Sequence, residues 1–322
     1  MDSQASQAAA IEAYVAIVKG IYRSVFIGYM LATSLYGITI LQTYLYFRHF
    51  SKDPWTIKAT VILLSALDTI STGLVTASLY TFLVDNFGIP DVFELDIIPL
   101  TFATENGIMT AIIWVVQLFY AIQIWVVSRS KVIPIVIVFI TLAPFVLGIR
   151  DTLIIFRYPD LVTLTAKRYN IIRGVIKGIN VIADLIITAS LVTFFRANRT
   201  SLKRTGNILD KLIVYAGSRG ALLTFCQILY LILSAPFPTH VYWQPAHQMI
   251  SKVYVNSVLA SLNARKAFEK VQPTDASLSN FNTATSLSLR TMRAEGVTSR
   301  VVITKEVIED IDGKATRLVE SR

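Results

Sequence analysis

Seven long apolar runs, broken by charge, proline and glycine, leave this chain few ways to fold. They cover Gly20–Phe47, Ile57–Val84, Ile98–Val127, Val132–Ile149, Tyr169–Phe195, Ile208–Ala235 and Val241–Ala264. A helix needs about 20 mostly apolar residues to cross a bilayer, which each run approaches or exceeds. Pro134 and Pro144 interrupt the fourth run, and Arg150 with Asp151 closes it. Membrane helices tolerate proline where neighbours satisfy the freed carbonyls, so a kinked span is expected there. Only 16% of residues are charged, against about 25% in a typical soluble domain. The expected fold is all-α: an integral membrane seven-helix bundle over residues 20–266. It follows a short N-terminal segment, 1–19, and precedes a polar tail, 267–322, of disordered composition.

The loops predict an orientation. The first, third and fifth connections and the start of the tail carry thirteen Lys and Arg, among them Arg48, Lys52, Lys131, Arg196 and Arg265. The opposite side carries seven, five of them in the fourth connection between Arg150 and Arg173. Basic loops stay cytoplasmic, so the N-terminus is expected outside and the tail inside. This bias also explains the net charge of +9 without nucleic acid, since no basic stripe with interleaved aromatics lies outside the spans. The second connection is acidic (Asp85, Asp91, Glu94, Asp96) and reads as a solvated loop able to attract cations. The sequon Asn198-Arg199-Thr200 falls in the fifth connection, on the expected cytoplasmic side, where no glycan is added. The opening residues lack a basic leader and a cleavage site, so the first span is expected to serve as an uncleaved signal. Cys226 is the only cysteine, so no intrachain disulfide forms.

Ionisable residues inside the runs carry the functional question, because they are costly in hydrocarbon and turn inward by default. They are Asp68, Glu105, Arg173, Lys177, Asp184, Arg219 and Lys252. Arg173 stands near enough to a span end to snorkel to the surface; the other three acids and three bases balance. Spacings of three and four align side chains on one helix face. Arg173, Lys177, Asn180, Asp184 and Thr188 form such a stripe, as do Ser65, Asp68, Thr72, Thr76 and Tyr80. Asn106, Thr110, Gln117 and Tyr120 form a third, and Lys252, Asn256 and Asn263 a fourth. The helical rise then predicts two layers: a central one of Asp68, Arg219 and Lys252, with Asp184 in reach, and an outer one of Glu105 and Lys177. Arg265 and Lys266 mark where the last helix leaves the membrane. The stripes either fix helix packing, at a modest 0.6 kcal/mol or so per polar contact, or line a ligand or ion site.

Sharper chemistries fit less well. Lys252 at mid-depth invites a retinal Schiff base, but a salt bridge to an aspartate explains it with less. The third span ends in "IWVVSRS", without the acid-Arg-Tyr triplet of rhodopsin-like receptors. His49, His240 and His247 are the only histidines, too few for a zinc site without further ligands, and no phosphate cradle or nucleophile elbow is present. No cofactor, no metal and no enzymatic activity are expected. The lipid bilayer is the expected partner, with a cytoplasmic protein for the tail, where Ser286, Ser288, Thr291 and Ser299 lie near arginines.

Three blocks carry a family resemblance: "LYGITILQTYLYFRHFSKDPWTIKATVILLSALDT" (35–69), "KLIVYAGSRGALLTFCQI" (211–228) and "KVYVNSVLASLNAR" (252–265). In this order they resemble a group of multi-pass membrane proteins of basidiomycete fungi known as domain of unknown function 6534. The resemblance implies a seven-helix membrane protein and no ligand, activity or partner; Arg219 stands where the pattern has a small or polar residue. Three readings stay open: a receptor-like or sensor-like protein, a transporter or channel-like protein moving a small solute or ion through the charged core, and a scaffold without a small ligand.

Overall fold

The computed structural model describes residues 2–85, 99–128, 130–160, 166–199, 206–234 and 242–269. These form seven helices and no strand: α1 (Asp2–His49), α2 (Trp55–Tyr80), α3 (Leu100–Ser128), α4 (Val132–Arg157), α5 (Lys167–Arg199), α6 (Gly206–Ser234) and α7 (Gln244–Glu269). A single π turn, Thr81–Asp85, extends α2. Most of the acidic second connection, Thr200 of the sequon, His240 and the tail from Lys270 lie outside the described residues.

Each helix packs on the next, and α7 closes the ring on α1. Cross-helix pairs fix the directions. Thr43 meets Ser65 and Tyr36 meets Thr69, so α1 and α2 are antiparallel. Asn106 with Thr152, and Trp114 with Phe145, make α3 and α4 antiparallel. By contrast, Gln248 reaches Val25, Asn256 reaches Leu35 and Asn263 reaches Gln42. Both numbers rise together, so α7 runs parallel to α1. That is the geometry in which an up-and-down ring of seven must close. The near end of the bundle carries Asp53 and Arg265; the far end carries Asp151, Arg173 and His247.

Six helices are long and apolar enough to cross a membrane: Arg23–His49, Trp55–Asp85, Leu100–Val126, Val132–Arg157, Lys167–Ala197 and Ile213–Ser234. Their outward faces are oily, with Phe139, Leu153, Phe225 and Ile232 all more than 60% exposed. Their inward faces hold the ions: on α2, Ile62, Leu63 and Ile70 are exposed while Asp68 and Ser71 are completely buried. A water-soluble fold would reverse this arrangement, since large exposed apolar surfaces mark contact with lipid or protein. The seventh helix fails the apolar criterion because it carries Gln244, His247, Gln248, Lys252 and two asparagines. It also touches α2 and α3 across the ring, and between Ser251 and Leu259 only Asn256 is less than buried. Its polarity belongs to the interior.

The fourth helix differs from the sequence reading. It does not close at Arg150 and Asp151 but continues to Arg157. Pro134 stands in its first turn, where an N–H has no helical partner anyway, and the helix continues through Pro144. Asp151 is therefore a buried residue of a membrane helix rather than part of a loop.

Candidate functional site: a polar core inside the helix ring

At mid-depth, Lys252 of α7 meets Asp68 of α2. Its Nζ donates to Asp68 Oδ1 at 2.7 Å, to the Asp68 carbonyl at 3.0 Å and to Thr72 Oγ1 at 2.7 Å. Both residues are at most 2% exposed. All three strong donors of the ammonium are thus engaged, the condition under which a buried ion pair becomes tolerable. The period of the α2 stripe accounts for the geometry, because Asp68 and Thr72 are one turn apart on one face. Asn256, one turn further along α7, donates to the Lys252 and Leu35 carbonyls, and Asn263 donates to the Gln42 carbonyl at 2.8 Å. These two asparagines tie α7 to α1 rather than opening into a cavity.

A second group lies toward the far end. Glu105 Oε1 accepts from Ser71, and its other oxygen is 3.9 Å from His247 Nε2. The buried His247 ring is surrounded by Phe102, Tyr230 and Trp243, and neither of its nitrogens has a hydrogen bond in the described structure. Lys177 stands over the Tyr230 ring, 5.4 Å from its centroid. It borders a cavity of about 20 Å³ whose lining includes Trp114, Gln117, Thr141, Pro144 and Asn180. That is room for a single water, which needs roughly 10–15 Å³ of such space. Gln117 donates to Asn180 at 3.1 Å beside it, and the Trp114 indole N–H is buried without a partner.

A third group bridges α5, α6 and α7. Asp184 Oδ2 accepts from Gln227 at 2.7 Å and from the Tyr254 hydroxyl. Arg219 lies with its guanidinium carbon 3.2 Å from the centroid of the Tyr120 ring, a cation–π contact. Its charge acts on Asp184 without a hydrogen bond between them. The predicted central layer therefore divides: Asp68 and Lys252 pair, whereas Arg219 belongs to the α3/α6 side with Asp184. Glu105 and Lys177 share the outer level but do not form an ion pair. Of the three acids and three bases expected to neutralise one another, only Asp68 and Lys252 pair directly; Glu105 and Asp184 accept hydrogen bonds from neutral groups, and Lys177 and Arg219 face aromatic rings.

Two ion pairs were not legible in the runs. Arg173 does not snorkel: it is buried and its Nε donates to Asp151 Oδ2 at 3.1 Å. Arg265, at the near end of α7, is not surrounded by solvent. It is 8% exposed, pairs with Asp53 of the first connection and covers the Phe50 ring, while Tyr46 donates to the same carboxylate. Among the described residues no three metal-ligating side chains converge.

The last three helices carry a further likeness. Residues 180–267 match the model of a family of unknown function (DUF6534). The matched segment holds Asn180, Asp184, Arg219, Lys252, Asn256 and Asn263, whereas Asp68, Glu105 and Lys177 lie outside it. No curated protein and no solved structure matches the chain.

Proposed function

We propose that the chain is a seven-span membrane protein of receptor-like or sensor-like type, with its N-terminus outside and α7 as the seventh span. The observation that carries this reading is the titratable group at the far half of the ring. In the far half, His247, Ser251 and Gln244 are buried with unfilled hydrogen-bonding capacity beside Glu105 and Lys177, the one place among the described residues where such atoms join an acid, a base and an imidazole. The near half is packed with buried Leu64, Val116, Ile124, Leu191, Val258 and Leu259. A buried polar group above a mainly apolar layer suits recognition better than passage, because such a layer dewets and blocks an ion's path. The far half then takes a small polar molecule, no chemistry is performed, and the tail engages a cytoplasmic protein. The resemblance of the blocks at 35–69, 211–228 and 252–265 to proteins of basidiomycete fungi supports a fungal source.

A transporter is the second reading because a buried carboxyl and a buried imidazole, Glu105 and His247, stand 3.9 Å apart, the residue types of a proton relay that a small movement or one water would connect. Reconstitution into vesicles separates the readings. The sensor reading predicts proton and potassium leak no greater than in protein-free vesicles, unchanged by Asp68→Asn. Flux that Asp68→Asn abolishes would establish the transporter instead. A scaffold would also be silent in flux, but Glu105→Gln and His247→Ala would leave protease cleavage of the tail unaltered, whereas a sensor shifts it.

A further inference from the structure

The outer surface between α3 and α4 is not smooth. Ala121 and Trp125 of α3 and Pro134 and Val138 of α4 line an apolar groove of about 440 Å³, open to the surroundings of the bundle. Ala121 is small and buried, so the groove has depth, and the exposed Phe139 and Ile122 form its walls. Lys131, the residue that caps the start of α4, belongs to the same lining and is exposed. From Lys131 to Phe139 the helix rises about 12 Å, slightly less than one leaflet of a hydrocarbon core of about 30 Å. The groove thus begins at a cationic mouth at the near end and ends within one leaflet.

We propose that this groove is a binding site for an anionic glycerophospholipid, one acyl chain lying along Ala121 and Val138 and the headgroup phosphate meeting Lys131. The groove walls are hydrocarbon apart from Lys131, so they offer a chain dispersion contact on three sides where a flat helix face offers one. Trp125 stands at the level where indole rings favour the headgroup boundary. Lys131 cannot reach an acidic residue of its own helix, because none lies in the first turn of α4. Its charge is left for a headgroup, and basic residues next to the membrane surface select anionic lipids. The inference is independent of the sensor reading and requires only that the bundle sits in a bilayer.

Trp125 makes the site measurable. The full-length protein is reconstituted in phosphatidylcholine vesicles containing either phosphatidylserine or phosphatidylcholine with brominated acyl chains. The Trp125-dependent part of the quenching is obtained by difference from Trp125→Phe. The expected result is about fivefold preferential quenching by the serine lipid, the equivalent of one favourable lysine contact. Lys131→Gln, a change at an exposed position, should equalise the two lipids, and Ala121→Leu should weaken quenching by both. Equal quenching of the unaltered protein by both lipids would overturn the proposal. So would a preference that survives Lys131→Gln.

Discussion

Arg219 and Arg173 are both buried guanidiniums, yet their surroundings give them different consequences. Arg173 holds the carboxylate of Asp151, and removing one partner of a buried pair leaves an uncompensated charge worth about 3–5 kcal/mol. Arg219 has the Tyr120 face and no hydrogen-bond acceptor on any of its three nitrogens. Asp184, the acid it acts on, already has Gln227 and Tyr254 as donors. Thermal unfolding in detergent should therefore rank Arg173→Met as clearly more damaging than Arg219→Met, the latter within about 1 kcal/mol of the starting protein. The reverse order would mean that Arg219 has an acceptor that the geometry does not provide. The two residues also differed in legibility. A spacing of four placed Arg173 on the α5 stripe with Lys177, but its partner was hidden because Arg150 and Asp151 read as the end of a span. A charged doublet ends a run in sequence, whereas a buried partner lets the helix continue through it.

At the level of the helices, the stripes were readable because their period is a property of each helix alone. Asp68 and Lys252 followed from spacing and rise, without knowledge of the neighbours. Which stripe meets which depends on rotation and height, and those are set by small residues at crossings that spacing does not reveal. Gly28 shows this most clearly: a Cβ added there would lie 2.8 Å from the Pro245 Cα of α7, closer than real contacts allow. Gly37, further along α1, has nothing within 4 Å of such an atom. Gly28→Ala should therefore lower stability by about 1–3 kcal/mol, the usual cost of overpacking. Gly37→Ala should leave it unchanged or slightly raise it, because glycine is a poor helix former. Equal effects at the two positions would show that α1 and α7 do not approach as closely as the Val25, Leu35 and Gln42 contacts require. The Asp53–Arg265 pair escaped the sequence for a related reason. A basic residue at a helix end normally signals water, and only the fold of the first connection brings Asp53 over it.

At the scale of the molecule, polarity is inverted relative to a water-soluble body, and the apolar runs together with the polar stripes inside them made that inversion visible. The orientation rests on loop charge, which favours the near end inside. Expression in a glycosylating eukaryotic host should accordingly leave Asn198 unmodified, with no mobility shift on endoglycosidase treatment; a glycan there would place the near end outside. The account as a whole depends on charged side chains of different helices facing one another within the ring. The most direct test is a double-mutant cycle on Asp68→Asn and Lys252→Met, measured by unfolding in detergent or bilayer. Residues in direct contact typically couple by 0.5–3 kcal/mol or so, and this fully buried pair is predicted to couple by at least about 1 kcal/mol, the double variant being more stable than the sum of the two losses implies. Strict additivity would contradict the account, since it would mean that the lysine of α7 and the aspartate of α2 do not meet.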